Sequence, residues 1–162
     1  MFQLFLFLHV MGAIAVFGPT FVFPIIASQA QKSPQNGPFA AALAEYIERR
    51  LVIPGAVVQG ITGVALILIA GRDLTTSANR WLIGGIILYV IAISFAAFVQ
   101  AKNAERMVEL TRNMPPGPPP AGAPAGPPPE IAATGKKLQQ GGMLLTVLIV
   151  AIVILMVTKP TF

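Results

Sequence analysis

The chain has 162 residues, 55% of them apolar and only 10% charged, with a mean hydropathy of +0.75 and a net charge of +5. A soluble domain carries about 25% charged residues, so a soluble fold is excluded, and the basic excess flanks apolar runs as in membrane proteins rather than marking a nucleic-acid surface. The absence of cysteine rules out disulfide staples, thiolate metal sites and cysteine nucleophiles.

The first element is charge-free from Met1 to Gln31 and holds the only histidine, His9. Crossing roughly 30 Å of hydrocarbon takes about 20 helical residues, whose backbone groups bond one another where water is absent. A transmembrane helix is therefore predicted over about 3–27. There is no basic n-region, and Gly18, Pro19 and Pro24 lie inside a stretch too long for a signal-peptide core, so the span is expected to persist as a helix, kinked at proline.

After Ser33, Pro34, Gly37 and Pro38, the segment Phe39 to Arg50 reads as an amphipathic helix, with Phe39, Leu43 and Tyr46 or Ile47 on one side and Glu45, Glu48 and Arg49 on another. It is expected to lie along the inner membrane surface. The second span follows over 51–71 and the third over 81–101. The third is expected to continue as a solvated helix through Lys102 to Asn113, with pairs such as Lys102 with Glu105 and Arg106 with Glu109.

Residues 115–129 contain nine prolines, three glycines and three alanines. Such a tract favours extended polyproline II and makes a linker able to cover roughly 45 Å. The fourth span is 138–158. The predicted fold is thus all-α: a single four-helix transmembrane domain over 1–162, an integral membrane four-helix bundle with a Pro-rich loop between the third and fourth helices.

Eight basic residues fall in the first and third loops (Lys32, Arg49, Arg50, Lys102, Arg106, Arg112, Lys136, Lys137) against three on the other side (Arg72, Arg80, Lys159). Positive loops stay inside. Both termini are therefore predicted outside a cell (inner) membrane, with the Pro-rich loop cytoplasmic.

All six carboxylates (Glu45, Glu48, Asp73, Glu105, Glu109, Glu130) lie outside the four spans. Proton-coupled transporters and pumps need an intramembrane acid, so a transporter acting alone is disfavoured, as is a carboxylate-oriented triad around His9. No Gly-rich phosphate loop, metalloprotease pair or nucleophile elbow occurs.

Counting about 1.5 Å of rise per residue sets His9 roughly 10 Å, Thr62 about 13 Å and Tyr89 about 12 Å below the outer ends of their spans. They share one layer, which gives His9 two explanations. It either hydrogen-bonds Tyr89 or Thr62 between helices, or ligates a metal, most naturally haem iron. Gly12 and Ala13, three and four residues on, lie on its face of the helix and leave room for a flat macrocycle or for close helix packing. A second axial ligand would have to come from Met156, from another His9 in a twin subunit, or not at all.

The run LHVMGAIAVFGPTFVFP, Leu8 to Pro24, resembles the first helix of the bacterial membrane protoporphyrinogen oxidase family, which is similar in outline to the copper-resistance D type helical proteins. IPGAVVQGITGVALI, Ile53 to Ile67, and ILMVTKP, Ile154 to Pro160, resemble the integral membrane family called domain of unknown function 2269, a likeness covering most of the chain apart from the proline tract. The oxidase resemblance implies haem b binding with His9 as axial ligand. The later-helix lysine of that family has no counterpart within spans 2 to 4, so oxidase activity is not implied.

Two functions follow. One is a non-catalytic accessory or structural subunit of a larger membrane complex, whose partners are the bilayer and other transmembrane helices, with small-residue faces (Gly60 with Gly63, Gly84 with Gly85, Ala92 with Ala96) available for packing. The other is a b-type haem-binding redox or haem-handling protein centred on His9.

Overall fold

A computed structural model describes residues 1–32, 34–112 and 126–160, and every regular element in them is helical. The helices are α1 (Phe2–Lys32), α2 (Gly37–Ile47), α3 (Ile53–Ile69), α4 (Arg80–Phe95), α5 (Ala101–Arg112) and α6 (Pro129–Thr158). Four continuous rods, Phe2–Ala30, Gly37–Ile69, Ser77–Arg112 and Pro129–Thr158, are long and apolar enough to cross a bilayer. This is the architecture expected of a four-helix membrane bundle. Most of the proline tract lies outside the described residues, and its last residue, Pro129, already opens α6, where a missing N–H is tolerated.

The second and third rods each contain a π-helical turn, Glu48–Val52 and Ala96–Gln100. In the first of these Ile53 N–H bonds the Glu48 carbonyl immediately before Pro54. A wide turn at this point accommodates a residue that has no N–H for the preceding turn. The consequence corrects the expectation for Phe39 to Arg50. Helical dihedrals run unbroken from α2 through the π turn into α3, so α2 prolongs the second span instead of lying along the surface, and Glu48 is buried.

α1 packs between α3 and α6, and α4 packs on the far side of α6. At the end of the bundle that carries the long loops, α2 packs on α5 and closes the ring. Of the charge pairs expected there, Arg106 and Glu109 meet at 2.7 Å. Glu105 instead pairs with Arg49 across the rods, and Arg106 also reaches Glu130 at 3.2 Å.

At the opposite end α3 stops at a turn in which Gly71, at φ +59°, lets Gly71 N–H reach the Leu68 carbonyl and Arg72 N–H the Ile67 carbonyl. Asp73 then organises the connection. Its carboxylate accepts from the Thr75 N–H at 2.8 Å and the Thr75 hydroxyl at 2.7 Å, and its carbonyl accepts from the Asn79 amide. Trp81, buried, donates to the Ala78 carbonyl, and Lys159 places its ammonium 5.9 Å from the Trp81 ring centre.

Candidate functional site

The α1/α3 seam carries the polar layer. His9 Nδ1 lies 2.9 Å from the Thr62 hydroxyl oxygen, and that hydroxyl lies 3.0 Å from the Gln59 carbonyl one turn below it on the same helix. Thr62 has a single proton to give. With that proton directed to the Gln59 carbonyl, its oxygen accepts from Nδ1–H and Nε2 keeps its lone pair; with it directed to Nδ1, the ring proton sits on Nε2.

Gln59, buried, donates from Nε2 to the His9 carbonyl at 2.8 Å. Its other amide atom, Oε1, lies 2.6 Å from where a Cβ would stand on Gly12. The glycine three residues after His9 therefore makes room for a side chain of the neighbouring helix. Gly63 faces the His9 ring, whose Cε1 is 3.2 Å from its Cβ position. Ala13 is half-buried.

Tyr89 lies in the expected layer and engages a different group. Its hydroxyl donates to the Ala56 carbonyl at 2.6 Å and lies 2.7 Å from the Cβ position of Gly60. It thereby ties α4 to α3, which otherwise touch little. Met156 packs against Gly85 on α4, its methyl 2.5 Å from the Cβ position there, so its thioether serves the α4/α6 seam and not His9.

Of the residues singled out by sequence, the structure brings together His9, Thr62 and Gly12, sets Ala13 beside them and keeps Tyr89 to its own contact. Gln59 is the residue that sequence reasoning left outside the site. It stands among the polar positions of the second span, but its target is a backbone carbonyl, for which no sequence signal exists.

The small-residue faces read as outward docking surfaces are mostly consumed within the chain. Tyr89 covers Gly60, His9 covers Gly63, and Leu155 and Met156 cover Gly84 and Gly85. Ala96 is buried. In lipid, glycine lets helices approach closely where apolar burial gives little driving force, and here it does so inside the bundle.

Chemically, the layer binds helices to one another. Each interhelical hydrogen bond in a membrane contributes about 0.6 kcal/mol on average, and three of them (His9 to Thr62, Gln59 to His9, Tyr89 to Ala56) fix the first three spans. Among the described residues no three histidine or carboxylate side chains gather as a metal site.

A family model described as predicted integral membrane protein (DUF2269) matches residues 3–160. No curated protein and no solved structure matches the chain.

Proposed function

Because the chain belongs to the DUF2269 family of predicted integral membrane proteins, we propose that it is a small non-catalytic subunit seated among lipid and the transmembrane helices of a larger assembly. The observation that supports this is Gly18. The glycines at 12, 55, 60, 63, 85 and 141 are each filled by a side chain of the chain itself, whereas Gly18 on α1, like Gly142 on α6, has nothing within 4 Å of its Cβ position.

Gly18 interrupts an exposed ridge along α1 formed by Leu4, Phe7, Met11, Ile14, Phe21 and Ile25. Their alternating spacing of three and four residues is the pattern by which one helix presents a continuous seam to another. A glycine in such a seam lets a second backbone come close.

The test is extraction from native membranes in mild detergent. The proposal expects partner subunits in fixed ratio, with Gly18→Leu releasing them while helicity and monodispersity persist. A protein that elutes alone, with or without the substitution, contradicts it.

One observation favours the second reading, in which His9 ligates haem b. An imidazole whose Nδ1 is bonded to Thr62 and whose Nε2 has no hydrogen-bond partner among the described residues is prepared as a ligand. Bound haem would supply one-electron chemistry. The surrounding residues fit it only in part: the Gln59 amide fills the space beside Gly12 that a macrocycle would need, and Met156 is committed to Gly85. The subunit reading is therefore the stronger, and no chemical step is derived through haem.

A further inference from the structure

The two π-helical turns flank a groove of about 480 Å³ lined by Arg49, Arg50, Ile53, Ala97 and Ala101. Arg49 and Arg50 belong to the turn in the second rod and Ile53 follows it; Ala97 belongs to the turn in the third rod and Ala101 follows that one. π turns inside longer helices recur at functional positions because they displace the side chains around them. Here two of them contribute to one concavity.

The groove sits at the edge of the hydrocarbon layer. Arg50 immediately precedes the charge-free stretch of the second span, and Ala101 immediately precedes Lys102, the first charge after that of the third. Its mouth is cationic and its floor is small and apolar. Arg49 is held by Glu45 at 2.9 Å and by Glu105. Arg50 is exposed and enters no ion pair among the described residues.

We propose that this groove binds an anionic phospholipid, with its phosphate on Arg50 beside Arg49 and an acyl chain along α3. A guanidinium offers phosphate two parallel N–H donors, and basic pockets between transmembrane helices at this level suit anionic headgroups. A lipid fits better than a free anion because the apolar lining continues into the membrane. Val57, Ile61 and Val64 prolong the helical stripe begun by Ile53, and all three are exposed. α3 and α4 have little contact with one another.

The experiment is native mass spectrometry of the full chain in detergent, titrated with phosphatidylglycerol, phosphatidylcholine or inorganic phosphate. At about 1 kcal/mol for a basic residue at the membrane surface, Arg50 should contribute about fivefold in affinity. The wild type is expected to prefer phosphatidylglycerol to phosphatidylcholine by at least that factor. Arg50→Gln should remove about fivefold, Ala97→Leu should weaken binding by filling the floor without touching a charge, and Lys137→Gln on α6 should change nothing.

Equal binding of phosphatidylglycerol by the wild type and Arg50→Gln overturns the proposal, as does displacement of the lipid by equimolar inorganic phosphate. Arg50 is exposed, so its substitution carries the test whether or not Ala97→Leu folds.

Discussion

Gln59 donates its side-chain amide to the His9 carbonyl at 2.8 Å and lays its Oε1 against Gly12, three residues further along α1. The other helix pair repeats the arrangement. Gln100 donates to the Leu138 carbonyl at 3.0 Å and lays its Oε1 against Gly141, again three residues on. In both cases a buried amide from one helix spans almost a turn of the next, and a glycine supplies the room. Among the described residues the Gln100 Oε1 has no conventional donor. It occupies the volume a Cβ would fill on Gly141, where the glycine Cα hydrogens offer a weak contact.

This arrangement predicts opposite behaviour at two adjacent glycines. A Cβ at Gly141 would stand 2.1 Å from Gln100 Oε1, whereas nothing lies within 4 Å at Gly142. In Gly141→Ala the amide must swing away and abandon Leu138, leaving a buried polar group unpaired at a cost of about 1–3 kcal/mol. Gly142→Ala should be neutral or slightly stabilising. Thermal unfolding in detergent measures both, and equal effects at the two positions would refute the clamp.

The interhelical bond at His9 predicts a measurable coupling. Thr62→Val removes the hydroxyl partner of Nδ1 and His9→Phe removes Nδ1 itself. A double-mutant cycle on unfolding should return an interaction of about 0.6 kcal/mol and no more than about 1.7 kcal/mol. A coupling of zero would mean that the two side chains are neighbours without a stabilising bond.

Asp73 predicts a pH effect confined to the connection between α3 and α4. The Thr75 N–H and hydroxyl both donate to its carboxylate and hold its pKa below the ordinary 3.8. A depressed carboxyl contributes order that is fully present above its unfolded pKa and is lost as pH falls through the folded value. The Thr75 amide should thus stay protected from hydrogen exchange through the ordinary carboxylate range and lose protection only in stronger acid. Asp73→Asn should flatten that profile, and loss of protection at or above pH 3.8 in the wild type would contradict the assignment.

The number and type of the spans were legible from the sequence because charge-free length alone decides what can cross a bilayer. The layer containing His9 and Thr62 was legible from helical rise, which converts residue counts into depth. What hydropathy does not encode is which apolar face turns inward, since lipid and protein interior are alike in polarity. That is why Gly60, Gly63, Gly84 and Gly85 read as outward surfaces while the structure fills them from within. Gln59, Gln100 and Tyr89 each choose a backbone carbonyl, and every residue has one. The continuity of α2 with α3 was hidden because Glu45, Glu48, Arg49 and Arg50 set the charge-free span to start at Leu51, whereas the helix runs on through them by way of a π turn.

We propose that His9 fastens the first span to the second through Thr62 and does not hold a cofactor. An optical absorption spectrum of the protein extracted from its own membrane tests this most directly. The expected result is a preparation with no Soret band, identical in spectrum to His9→Ala. A Soret band in the wild type that disappears in His9→Ala would contradict the claim and make the imidazole an iron ligand.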